Sequence, residues 1–221
     1  MQRFFDILFS GIAIILLSPV FLILILILRF SGEGEIIFSQ PRVGRFGKKI
    51  FILKFVTMLK NSPNMGSGTV TLKNDPRVLP VGKFLRKTKL NELPQLINIF
   101  IGDMSLIGPR PQTIRCFEAF PQIYQKEIMK VRPGLSGIGS IVFRNEEEIL
   151  SNSKDADYIY DELIMPYKGE LESWYIKRKN IFLYFYLIFL TTLVVFFDSI
   201  KIKTFLPKSI PSMPDLLKKC L

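Results

Sequence analysis

Three short stretches carry the side chains that could do chemistry on an anionic substrate. Lys83, Arg86, Lys87 and Lys89 stand immediately before Asn91-Glu92, where a helix is expected to begin. A helix N-terminus presents unpaired N–H groups and partial positive charge, so cations placed there make a phosphate site; a solvated basic face is the competing account. Arg110 lies between Pro109 and Pro111. The two prolines fix the backbone on both sides and limit the entropy lost in holding a guanidinium for bidentate phosphate contact. Arg132-Pro133-Gly134 repeats the device. Either arginine could instead pair with a carboxylate and join two loops. Glu92 and Asp103 supply such carboxylates, or oxygen ligands for a magnesium ion that also touches substrate phosphates. Carboxylates, arginines and a helix N-terminus within one segment point to phosphoryl-transfer chemistry.

The elements that must position these groups can be read from spacing. Leu93, Leu96, Ile97 and Phe100 recur at helical intervals and share one face. Asn91 is the expected cap, Pro94 suits the first turn, and Gly102 ends the helix. Gly108 to Pro111 forms a rigid turn before a second helical stretch from Thr113 to Val131, and Arg132 to Gly139 is a Gly-rich break. Upstream, Ile36 to Phe38 and Ile50 to Leu53 read as strands of a hairpin around a basic loop, Gln40 to Arg45. Asn61 to Thr71 reads as a surface loop, and Asn74 to Arg77 as a turn into a short helix through Leu85. The acidic stretches Glu146 to Glu148 and Lys154 to Glu162 read as solvated surface without chemistry.

A chain of 221 residues, 48% hydrophobic, supports one sizeable core with attachments. Its net charge of +11 without histidine favours anionic partners: nucleic acid, phosphorylated small molecules or anionic headgroups. A nucleic-acid binder needs aromatics interleaved with basic patches, whereas most aromatics here lie in apolar runs. Cys116 and Cys220 show neither disulfide nor zinc spacing. Phe4 to Phe30 is almost wholly apolar, long enough to reach across a bilayer and longer than a signal-peptide core. Pro19 near its middle should kink the helix, with the Ser18 hydroxyl free to occupy the carbonyl that loses its partner. A helix that enters and leaves by one face and a straight span both fit this pattern. Ile181 to Phe197 is apolar and aromatic but marginal for a span, so interfacial burial or packing on the anchor are alternatives; Trp174 and Tyr175 suit the headgroup zone.

The run Lys89-Leu90-Asn91-Glu92-Leu93-Pro94-Gln95-Leu96, followed by Gly102-Asp103-Met104-Ser105-Leu106-Ile107-Gly108-Pro109-Arg110-Pro111, resembles the bacterial sugar transferase family, the monotopic phosphoglycosyl transferases. The likeness extends to Ser18-Pro19, Gln40 to Gly44, Lys54-Phe55 with Thr57-Met58, Asn74 to Arg77 and Val131 to Gly137. It implies an α/β, mainly α, membrane-anchored fold with an N-terminal re-entrant helix and short strands. The implied organisation is an anchor over 1–30, a cytoplasmic catalytic domain over 31–180, and an apolar membrane-associated segment with a basic tail over 181–221. The implied activity moves a sugar-1-phosphate from a UDP-sugar to polyprenyl (undecaprenyl) phosphate, releases UMP, requires magnesium and initiates surface glycan synthesis on the cytoplasmic face of the inner membrane. By the same resemblance Glu92, Asn91 and Asp103 are the catalytic positions and Glu92 the metal ligand. Lys54, Arg86, Arg110 and Arg132 hold substrate phosphate, and Ser18-Pro19 is the apex of the re-entrant helix.

One departure bears on mechanism. In the family an aspartate precedes the glutamate and attacks the donor phosphate to give a phosphosugar-enzyme; Glu92 matches the glutamate and Asn91 occupies the aspartate position. An amide lacks the anionic oxygen such an attack needs, although asparagine and aspartate are comparable helix caps. The open accounts are an inactive paralogue, deamidation of Asn91, Glu92 as nucleophile, and direct attack by the lipid phosphate. The alternative function is a non-catalytic membrane protein of the same fold that binds lipid phosphate or a partner enzyme. Val56, in place of a basic residue, and Ile138-Gly139-Ser140, in place of Trp-Ala-Gln, suggest altered donor recognition.

Overall fold

The computed structural model describes residues 1–62, 75–151, 155–197 and 202–218. Most of the expected loop at Asn61 to Thr71, together with Asn74 and Lys154, lies outside the described residues.

The apolar N-terminal run forms one helix, α1 (Gln2–Arg29), which at 1.5 Å per residue is about 42 Å long. Among the described residues it is the one helix long and apolar enough to cross a membrane. Pro19 does not interrupt it, and the reason is local. The N–H that proline lacks would have bonded the Ile15 carbonyl, and the Ser18 hydroxyl donates to that oxygen instead, at 2.8 Å. One side of α1 lies on the body along its whole length. Arg3 donates to the carbonyls of Ile99 and Phe100, Ile14 and Leu17 pack with Leu96 and Ile99, and Leu24 and Leu28 close on Phe55 and Leu85. Ile15, Leu16, Leu22, Ile23 and Leu26, on the other side, are exposed.

Strands β1 (Ile37–Val43) and β2 (Lys49–Phe55) form an antiparallel hairpin in which Gln40 faces Ile52 and Arg42 faces Ile50. Gln40, Pro41 and Arg42 therefore lie within a strand and not in the expected loop; a two-stranded sheet has only edge strands, where proline is tolerated. The outer edge of β2 is satisfied by a buried side chain. Asn98 donates to Phe51 O at 2.8 Å and accepts from Leu53 N at 2.9 Å.

Asn98 belongs to α3 (Gln95–Ile101), which follows α2 (Pro80–Lys87) through a single 3-10 turn, Leu90–Glu92. Gly102, at φ 104°, ends α3 as expected. Two short parallel strands come next, β3 (Ser105–Ile107) and β4 (Gly134–Ser136). The single helix expected over Thr113 to Val131 is instead a pair, α4 (Ile114–Glu118) and α5 (Gln122–Ile128), because Pro121 opens a new helix after the chain turns at Phe120.

Helices α6 (Ile138–Val142), α7 (Glu146–Ser151) and α8 (Ala156–Tyr158) lead through a π-helical segment, Ile159–Ile164, into α9 (Met165–Arg178). The acidic stretch is ion-paired and not merely solvated: Glu146 meets Lys168 of α9, and Asp161 meets Arg115 at 3.0 Å. Helix α10 (Ile181–Phe196) completes the main core by burying Leu187 and Leu190 with Ile138, Ile164 and Leu171. Its Phe185 ring contacts Phe5 of α1 at 5.0 Å, while Phe182, Phe189 and Phe196 remain exposed. A short α11 (Asp215–Lys218) packs Leu217 on the same core.

Candidate active site

Lys89, in the left-handed region at φ 59°, reverses the chain after α2 and sets up the 3-10 turn that carries Asn91 and Glu92. Arg110 grips Glu92 with both prongs of its guanidinium, Nη2 to Oε1 at 2.5 Å and Nη1 to Oε2 at 3.4 Å. Lys54 Nζ stands 3.7 Å from the same Oε1. Burial alone would raise the Glu92 pKa, but the charges of Arg110 and Lys54 outweigh it and hold the carboxyl well below the usual carboxylate range. Lys54 moves the other way, down to about 8. Burial dominates that shift, Glu92 opposes it, and Arg110, Arg42 and Arg86 add to it.

The supporting geometry follows from strand alternation and close backbone contact. Lys54 is in phase with Ile50 and Ile52 on β2, and Gln40 and Arg42 share that face from β1. Arg42 donates to Gln40 Oε1 at 2.6 Å, and its Nε is buried without a hydrogen-bond partner. Burial, then the charge of Arg110, lower the Arg42 pKa to about 10. Arg110 itself rides on a loop bonded to the strand beside it, Gly108 N to Ser136 O at 2.9 Å and Gly134 N to Pro109 O at 2.8 Å. A Cβ on Gly134 would stand 2.1 Å from Gly108 N, so only glycine lets the two turns meet.

Asn91 does not cap α3. The 3-10 turn intervenes, Pro94 occupies the cap position, and the Asn91 Oδ1 is buried with no hydrogen-bond partner. Among the described residues no three Asp, Glu, Cys or His side chains gather into a metal-binding group. Glu92, with Arg110 and Lys54 on its carboxylate, and Asn91, whose Oδ1 is buried without a partner, are oxygen donors on consecutive residues of the turn. Such a pair suits a magnesium ion that arrives with phosphate oxygens of its own, and does not suit a self-sufficient cage.

The remaining expected residues divide. Arg86, in the last turn of α2, reaches Met58 Sδ at 3.7 Å, and its charge is felt at Lys54. Asp103 and Arg132 are not brought to Glu92. The seven residues of α3, about 10 Å of helix, separate the two ends, and Arg132 donates to Gly102 O at 2.9 Å at the far one. There Arg132 lines a second, smaller cleft with Arg3, Arg45, Lys130 and Lys179. Ser18 and Pro19 lie on the exposed side of α1. A wider open concavity beside α5, bounded by Asp161 and Glu162, contains none of these groups.

Gln40 and Arg42 are site residues that reading the sequence missed; the signal was their alternation in phase with Ile50, Ile52 and Lys54. Together Lys54, Arg42 and Arg110 make a cationic wall for which Glu92 is the internal counter-ion. A diphosphate has the charge and the oxygens to take its place.

A family model described as bacterial sugar transferase matches residues 1–198. The chain is 35% identical over 195 residues to the UDP-glucose:undecaprenyl-phosphate glucose-1-phosphate transferase of Klebsiella pneumoniae, covering 86% of this chain and 39% of that protein. It is 38% identical over 167 residues to the protein of the same description from Escherichia coli K12, covering 72% and 36%. The exopolysaccharide production protein ExoY of Rhizobium meliloti is 35% identical over 162 residues, with 66% and 70% covered. The chain thus spans about two fifths of the first relative and most of the last.

Proposed function

The chain belongs to the bacterial sugar transferase family, and on that premise we propose that it moves a sugar-1-phosphate from a UDP-sugar to polyprenyl phosphate, releasing UMP and starting a surface glycan. Undecaprenyl phosphate, named for the relatives, is the acceptor of choice. The observation that carries the reading is Glu92 clamped between Arg110 and Lys54. The donor diphosphate displaces Glu92 from those two cations, which then stabilise the charge that develops on the leaving phosphate. Magnesium would be held by Glu92 and the Asn91 Oδ1 and would supply further neutralisation of that charge.

Neither side chain at the turn is a good nucleophile. Asn91 is an amide without an anionic oxygen, and Glu92, once displaced by the donor, would be taken up as the magnesium ligand. The reaction therefore proceeds by direct displacement. An oxygen of the lipid phosphate forms a bond to the phosphorus bearing the sugar, the bond from that phosphorus to the UMP oxygen breaks, and UMP leaves with the electron pair. The protein sits on the cytoplasmic face of the inner membrane with α1 embedded from one side. This placement is supported by α1 being hydrogen-bonded to the body at Arg3 and packed on it through Leu24 and Leu28, so that its two ends stay with the same body.

Asn91 also favours a second reading, a non-catalytic protein that binds lipid phosphate. One experiment separates the two: the full chain in nanodiscs receives labelled UDP-sugars with and without polyprenyl phosphate. UMP formed only in the presence of acceptor supports direct displacement. One equivalent of UMP per chain without acceptor would replace it with an enzyme-bound intermediate. No UMP in either arm, with release restored by Asn91→Asp, would establish the non-catalytic reading.

A further inference from the structure

The cleft at the far end of α3 has the character of an anion site separate from the Glu92 cluster. Arg3, Arg45, Lys130, Arg132 and Lys179 line it, with Asp6 as the single carboxylate. Asp6 does not cancel that charge by ion pairing. Its Oδ1 accepts from Ser105 Oγ and Leu106 N at 3.0 Å and from the Tyr184 hydroxyl at 2.9 Å, and none of these donors is a cation. Two of the arginines are fixed in advance. Arg132 Nε donates to Gly102 O at 2.9 Å and Arg45 Nε to Lys130 O at 3.1 Å, while the Nη atoms of both make no hydrogen bond among the described residues. A guanidinium tethered by Nε with its outer fork unspent suits a phosphate oxygen.

Position narrows the ligand. Arg3 precedes exposed Phe4 at the start of α1, and Lys179 stands two residues before α10 and three before exposed Phe182. Both apolar helices begin at this cleft and are joined there by the Phe5 and Phe185 rings. The cations therefore lie at the depth where two apolar surfaces leave water, which is the depth of lipid headgroups. We propose that this cleft holds the phosphate of an anionic membrane phospholipid, with Arg45 and Arg132 as the fixed contacts and Lys130 and Lys179 as the mobile ones. The site depends on α1 being embedded and is independent of any transferase activity.

Native mass spectrometry of the full chain released from nanodiscs tests it, with phosphatidylglycerol and phosphatidylcholine present in equal amounts. The wild type is expected to retain phosphatidylglycerol preferentially, one molecule per chain. K130Q/K179Q, which removes two side chains with no hydrogen bond or ion pair among the described residues, should weaken retention by about thirtyfold. R45Q/R132Q should abolish it. Equal retention of the two lipids by the wild type would overturn the proposal, as would unchanged retention in K130Q/K179Q. Displacement of phosphatidylglycerol by millimolar inorganic phosphate would also overturn it, since the site would then be one for free phosphate.

Discussion

Lys54 is the site residue whose charge changes closest to neutral pH, and the sign of its effect differs between function and stability. Below about pH 8 its ammonium is present to attract the donor diphosphate; above that it is lost. Turnover at low donor concentration should therefore fall as pH rises through about 8, and K54R should keep its activity across that range in a UMP-release assay. Stability runs the opposite way. From about 8 to the ordinary 10.5 the unfolded chain holds the lysine proton more tightly than the native protein, so the Lys54 contribution to stability rises with pH over that window. Removing the other cation, in R110A, should lower turnover by about a hundredfold with membrane attachment retained, as measured by UMP release and flotation with vesicles. Arg110 was legible from the two prolines that set it off, whereas Lys54 was legible only through the family resemblance of Lys54-Phe55. Asp103 was grouped with these residues for its nearness in sequence and Arg132 for its Arg-Pro pattern, and neither signal registers that α3 separates both from Glu92.

At the scale of elements, the glycines mark where backbones touch. A Cβ on Gly82 would lie 2.1 Å from Thr57 O, so G82A must push α2 away from the strand end that carries Lys54. We expect a loss of about 1–3 kcal/mol, seen as a lowered Tm in detergent, together with reduced donor turnover. Helical spacing made α3 readable, and alternation made the hairpin readable in outline. The Asn91 cap and the unbroken helix after Thr113 were not, for different reasons. A 3-10 turn that differs from α-helix by one hydrogen bond leaves no mark in residue spacing, and Pro121 was consistent with either a helix start or a tolerated interruption. Ser18 shows the reverse case, in which a local rule about an orphaned carbonyl predicted the observed bond.

At the scale of the whole molecule, hydropathy gave the length of α1 and left open how it lies, because that depends on which side the body covers. Asp6 joins the three parts. One carboxyl oxygen on α1 accepts hydrogen bonds from β3, at Ser105 and Leu106, and from α10, at Tyr184. D6A should leave those buried donors unsatisfied and lower the Tm by several degrees or more, while D6N, which keeps one acceptor oxygen, should recover part of the loss. The partners of Asp6 lie 99, 100 and 178 positions along the chain. The carboxyl of α1 is thus satisfied by segments that lie far along the chain from it. Asp6 is satisfied only when β3 and α10 have both docked on α1, so these three hydrogen bonds report assembly of the whole body and not of the helix alone.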